Sequence, residues 1–166
     1  MVKQQSTALP QPRRDSLRKL HSILVPIDFS KDSETALAYA AEFAQQTGAT
    51  LTLLHVVEPM AYSELSMMPM LVSSAELHRA LRGKLVLFSR RCNIPRTLIG
   101  EALVGEGAPF QVINAMASRL SADLIIISMH GLTGMTHSLI GCTAERVVRH
   151  APCPVLVVRN KAASGS

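Results

Sequence analysis

The chain has 166 residues, 48% of them hydrophobic and only 17% charged, the composition of one globular domain with a sizeable core rather than of a disordered or highly solvated chain. No run reaches the roughly 18 apolar residues of a membrane-spanning helix. Cys92, Cys142 and Cys153 lack C-x-x-C spacing, and no secretory-type apolar segment lies near Met1, so the expected setting is a reducing cytoplasm without disulfides or membrane.

The formal charge of +5 is concentrated at the start of the chain, where Lys3, Arg13, Arg14, Arg18 and Lys19 face only Asp15. Gln4, Gln5, Pro10, Gln11 and Pro12 accompany them, a mixture with too little apolar surface to offset ordering entropy. Residues 1–20 are therefore expected to be a flexible basic tail, residues 21–160 one domain, and residues 161–166 a second short tail. No aromatic stacking platform accompanies the basic charge, so nucleic acid is not an expected partner.

After the tail, strand-like and helix-like patterns alternate. His21 to Ile27 reads as a strand, with Pro26 tolerable only where the ladder is finishing or unpaired. Ser30, Asp32 and Ser33 supply caps for a helix whose stripe is Ala36, Leu37, Ala40, Ala41 and Ala44, closed by Gly48. Thr50 to Val57 is a second strand. Glu58 to Val72 then holds two prolines and four methionines and reads as a mobile loop or lid. A helix over about 74–91 carries Leu77, Leu81, Leu85 and Phe88 at helical spacing, with Arg79, Arg82, Arg90 and Arg91 on solvated faces.

Thr97 to Val104 is the third expected strand, and Pro109 to Leu120 a helix with Phe110, Ile113, Met116 and Ala117 facing inward. Asp123 to Ser128 follows, its Leu-Ile-Ile-Ile run marking a strand buried on both faces and central. A last helix from about Gly141 to His150 is stopped by Pro152, and Pro154 to Arg159 forms a fifth strand. The alternation implies an α/β fold with an open five-stranded parallel sheet and helices on both faces. Right-handed crossovers leave two common strand orders, 3-2-1-4-5 and 2-1-3-4-5.

These orders differ in what they bring together. In 3-2-1-4-5 the order reverses between strands 1 and 4, so Asp28, after strand 1, converges with the glycine-bearing segment after strand 4. Gly131 and Gly134 allow backbone amides to approach an anion, and Gly141-Cys142-Thr143 opens the last helix, whose free N–H groups and dipole also favour phosphate. Tight turns use glycine for backbone reasons alone, and Asp28 can equally cap a turn before the first helix. His130 reads as orienting its loop rather than as a catalyst, because no second base or carboxylate pair accompanies it. His55 reads as a core histidine with one satisfied ring nitrogen. Met60, Met67, Met68 and Met70 read as apolar loop rather than soft-metal ligands, and no His/Cys cluster has zinc spacing.

Several motifs in order resemble the universal stress protein family. They are Val25-Pro26-Ile27-Asp28-Phe29-Ser30, Leu54-His55-Val56-Val57, His130-Gly131-Leu132-Thr133-Gly134, and Gly141-Cys142-Thr143-Ala144-Glu145-Arg146-Val147 leading into Ala151-Pro152-Cys153-Pro154-Val155-Leu156-Val157-Val158. The resemblance covers residues 21–160 and implies the Rossmann-like 3-2-1-4-5 sheet, a cytoplasmic homodimer pairing through the fifth strand, and a regulatory protein that binds ATP or AMP without being an efficient enzyme. An exposed fifth strand would need such a partner.

The family's nucleotide-binding branch has Gly, two residues, Gly, nine residues, Gly, then Ser or Thr. This chain keeps both spacings through Gly131 and Gly141 but has Ser128 and Cys142 at the ends, and Leu132 where the family usually has Arg or Lys. The resemblance assigns Pro26, Ile27, Asp28 and Val56 to the adenosine. Ser128, Gly131, Gly141, Cys142 and Thr143 go to the phosphates, with Ile127 and Gly134 beside them and Mg²⁺ as an accompanying ion. The departures motivate an alternative: a chaperone-like or protein-interaction stress protein with a degenerate phosphate site and unidentified protein partners. A thiol at a helix N-terminus also raises a redox switch at Cys142, against a plain replacement of Ser.

Overall fold

A computed structural model describes residues 19–58, 74–131 and 141–160. Strand β1 (Ser22–Pro26), helix α1 (Lys31–Thr47), β2 (Thr50–Val57), α2 (Ser74–Arg91), a 3-10 turn (Arg96–Leu98), β3 (Ile99–Glu106), α3 (Pro109–Arg119), β4 (Leu124–Ser128), α4 (Cys142–His150) and β5 (Val155–Val158) follow in order. The expected tails apart from Lys19 and Leu20, the methionine-bearing segment after Glu58, and Leu132 to Gly134 lie outside the described residues.

The five strands are parallel in the order β3-β2-β1-β4-β5, the arrangement in which Asp28 and the glycine segment converge. β1, not β4, takes the middle position; β4 is interior between β1 and β5, and all five of its residues are buried. Because strand side chains alternate, Ile23, Val25, Leu51, Leu53 and Ile126 pack on one face with Ala36, Leu37, Ala40 and Ala44 of α1 and Leu85 and Phe88 of α2. Leu24, Leu54, Ile125 and Ile127 pack on the other with Ile113 and Ala117 of α3 and Ala144 and Val147 of α4.

Local chemistry sets the boundaries. Ser30 caps α1 by accepting from the Ser33 amide at 3.1 Å, and Gly48 ends it in the left-handed region at φ 75°. Asp123 joins the starts of β1 and β4, its Oδ2 accepting from the His21 and Ser22 amides at 2.8 and 3.1 Å. The third strand is shifted from the expected 97–104 to Ile99–Glu106. Pro95, at φ −57°, starts a 3-10 turn that takes up Thr97 and Leu98, the Leu98 amide donating to the Pro95 carbonyl at 3.1 Å. In α2 only the second half of the expected stripe is fully buried: Leu85 and Phe88 reach the core, whereas Leu77 and Leu81 are half-buried. Arg79, Arg82, Arg90 and Arg91 are exposed as expected.

Candidate functional site

The crevice begins with a missing hydrogen bond. The Ile27 amide faces β2, donating to the Leu54 carbonyl at 2.8 Å. Amides alternate sides along a parallel strand, so the preceding one would face β4; that residue is Pro26, which has no N–H. β1 is in register with β4 only at Ile23 and Leu24, while β4 stays paired with β5 as far as Ser128. The two strands therefore part at their carboxyl ends, where the strand order reverses.

Asp28 stands at this opening. Its Oδ1 accepts from the Ser30 amide at 3.0 Å, the Ser30 hydroxyl at 2.6 Å and the Ser33 hydroxyl, while its own amide donates to Ser33 Oγ at 3.1 Å. The capping role is thus present, and it fixes the carboxylate at the crevice. Phe29, between Asp28 and the cap, has φ 67°, a conformation that costs a bulky residue about 1–3 kcal/mol. Its ring is held 4.5 Å from the His55 ring and 5.5 Å, edge-on, from Phe88, with Lys84 Nζ 4.1 Å above it. Sequence reasoning missed Phe29 as a support, because nothing in its one-dimensional context distinguishes a strained aromatic from a core one.

His55 is a half-buried histidine whose Nδ1 lies 2.7 Å from the Ile27 carbonyl, as expected for a core histidine with one satisfied nitrogen. A carbonyl only accepts, so the proton sits on Nδ1. Burial pushes the His55 pKa down, the Ile27 hydrogen bond opposing it and Lys84 adding to it, and the neutral ring prevails near pH 7.

The opposite wall comes from β4 and α4. Ser128, where the family pattern has Gly, is an extended strand residue paired with Val158 and is not among the residues of positive φ. A side chain is therefore accommodated there without backbone strain. At Gly131 an added Cβ would stand 2.8 Å from Asp28 Oδ2. At Gly141 it would stand 2.9 Å from the Met129 carbonyl oxygen, to which the Gly141 amide donates at 2.8 Å. Both glycines are thus required by close approach. Gly141 is also the N-cap of α4 and offers no capping side chain, so the amides of Cys142, Thr143 and Ala144 have no intrahelical acceptor.

These walls enclose a cavity of about 310 Å³. Pro26, Ile27, Asp28, Val56, Ile127, Ser128, Gly131, Gly141, Cys142 and Thr143 all line it; Gly134, the remaining candidate, lies outside the described residues. His55, Glu58, Pro109, Ile113 and His130 line it too, though the motifs had not placed them in the site. Pro109 and Ile113 come from α3, which the crossovers fold over this end of the sheet. His130 Nδ1 lies 3.7 Å from Asp32 Oδ2, and Asp32 Oδ1 accepts from Asn160 Nδ2 at 3.2 Å. Asp32, read from sequence as a cap, instead joins the exit of β4 to the end of β5 through a partner 128 positions away.

Among the described residues no group of three or more His, Cys, Asp or Glu is placed to hold a metal ion. The start of α4 presents a thiol where a hydroxyl would suit a hard cation, leaving Thr143 as its side-chain oxygen donor. The other oxygen donors of the cavity are the carboxylates of Asp28 and Glu58 and the hydroxyl of Ser128, and Mg²⁺ is commonly held by one or two carboxylates together with substrate phosphates.

The universal stress protein family pattern matches residues 19–159. A Staphylococcus haemolyticus relative whose name places it in that family is 29% identical over 145 residues, 84% of this chain and 85% of its own. The structure of the universal stress protein UspA from Lactobacillus plantarum aligns at a TM-score of 0.68 and 27% identity, covering 85% of this chain and 99% of that one. A universal stress protein from Archaeoglobus fulgidus, solved in complex with dAMP, shares the fold at a TM-score of 0.57 and 20% identity, covering 84% of this chain and 98% of its own. With a family match over most of its length and the same sheet order, the chain belongs to the universal stress protein family.

Proposed function

We propose that this protein is a cytoplasmic regulatory homodimer that binds an adenine nucleotide in the crevice between β1 and β4. The observation that carries the reading is the convergence of the Asp28 carboxylate, the closely approaching Gly131 and the uncapped start of α4 on one cavity. A carboxylate suits ribose or base donors, and free helix amides suit a phosphate. The dAMP bound by the Archaeoglobus fulgidus protein supports the ligand class. The reading is one of binding rather than turnover, since His55 is directed to the Ile27 carbonyl and His130 lies toward Asp32.

Pairing through β5 is supported by what flanks that edge. Asp32, Tyr39 and Phe43 are spaced to share one flank of α1, and Asp32 reaches Asn160 just beyond β5; Tyr39 and Phe43 are 44% and 36% exposed. On the other face Arg146 lies over Phe110 of α3, and Val148, 49% exposed, projects from the opposite flank of α4. Exposed apolar side chains therefore border the unpaired strand edge on both faces, where a second copy would cover them.

Thermal unfolding with and without millimolar AMP tests the crevice, because a ligand specific to the folded state raises the midpoint by mass action. The expected result is a rise that Asp28→Ala abolishes. Light scattering tests the assembly: a dimer is expected, converted to monomer by the double change Tyr39→Lys and Val148→Lys.

A further inference from the structure

Resting on the nucleotide reading above, we infer that the crevice selects by charge, holding a nucleotide with one phosphate and discriminating against the triphosphate. The titratable side chains that line the described cavity are Asp28, Glu58, His55, His130 and Cys142, with no lysine or arginine among them. His55 is kept neutral by burial, and His130 faces the Asp32 carboxylate. Lys84, whose charge reaches His55, lies over the Phe29 ring.

One phosphate nevertheless has a place. The amides of Cys142, Thr143 and Ala144 lie at the start of α4, whose N-cap Gly141 has no side chain to accept from them, and a helix N-terminus is equivalent to about half a positive charge. That favours one phosphate group. Each further phosphoryl group adds negative charge to a cavity that already holds the Asp28 and Glu58 carboxylates and has no lysine or arginine among its described lining residues. A divalent ion gains nothing from the side chain that opens α4, because Cys142 presents a thiol there and hard cations take oxygen ligands. The cavity, at about 310 Å³, is also at the small end of the range of about 300–1,000 Å³ for small-molecule sites.

Calorimetric titration of the full chain with adenosine, AMP and ATP, each with and without Mg²⁺, tests the inference. AMP is expected to bind more tightly than adenosine, and ATP at least about tenfold more weakly than AMP at low ionic strength. The AMP-to-ATP gap should narrow severalfold at high salt and in Glu58→Gln, and Cys142→Ser should raise affinity for ATP only when Mg²⁺ is present. ATP binding as tightly as AMP, adenosine matching AMP, or a gap indifferent to both salt and Glu58→Gln would overturn it. If neither adenosine nor AMP binds, the nucleotide reading itself fails, an outcome distinct from binding with the wrong order.

Discussion

Gly131 lies against the carboxylate of Asp28, so close that a Cβ on the glycine would stand 2.8 Å from Oδ2. The two residues are far apart in sequence and meet because β1 and β4 are neighbours with Pro26 opening the gap between them. The carboxylate cannot swing away to make room, since its Oδ1 is held by Ser30 and Ser33. Gly131→Ala should therefore lower AMP affinity by about tenfold or more, while changing stability by about 1 kcal/mol at most because the site is at the surface. Titration and urea unfolding of the same variant separate the two effects.

Ser33 is the concealed support of this arrangement. It is 1% exposed, receives the Asp28 amide and donates to Asp28 Oδ1. Removing its hydroxyl takes the acceptor Ser33 Oγ from the Asp28 amide and one of three donors from Asp28 Oδ1, so Ser33→Ala should cost about 1–3 kcal/mol in urea unfolding. It should also weaken AMP binding, whereas Ser33→Thr, which retains the hydroxyl, should keep more of both.

His55 gives stability a pH dependence of defined sign. Its folded pKa is lowered from 6.5, chiefly by burial, so between that value and the lower folded one the unfolded chain binds more protons than the native one. Stability then rises with pH across this window. Its contribution is fully present above about pH 6.5 and is lost as the pH falls through the folded pKa. Urea midpoints measured from pH 7.5 downward should show this loss, and His55→Gln, which cannot titrate, should lack that component.

Cysteine reactivity should follow exposure. Cys142 is exposed at the mouth of the cavity, whereas Cys92 and Cys153 are half-buried and burial pushes their thiol pKa values up. Iodoacetamide at pH 7.5 is expected to modify Cys142 first, and saturating AMP to slow that reaction while leaving the other two unchanged. Equal labelling of Cys142 with and without AMP would place the phosphate elsewhere.

Much of the molecule was legible before any coordinates. The alternation of branched-residue runs with alanine- and leucine-striped helices specified an α/β sheet, because a periodicity of two or of 3.6 is a local property of the chain. The glycine spacing from Gly131 to Gly141 pointed to two residues that line one cavity. Capping chemistry was equally local: Ser30 and Gly48 sit within a few residues of the backbone groups they satisfy, so their roles were read correctly.

Strand order, by contrast, did not follow from the element pattern, since both candidate orders obey the same handedness rule and bury the same runs; the family resemblance pointed to 3-2-1-4-5, and the tertiary structure has that order. The boundary of β3 moved because a 3-10 turn after Pro95 competed successfully for Thr97 and Leu98. The packing of Phe29 on His55 and Phe88, the link from Asp32 to Asn160 and the entry of Pro109 and Ile113 into the cavity were invisible for a common reason. Each depends on residues that only the folded sheet brings together, and contact across such distances leaves no periodicity in the sequence. The sequence by itself determined which elements form and which residues carry suitable chemistry; the tertiary structure decided which of them share a cavity, through the parting of β1 and β4 where Pro26 has no amide to give.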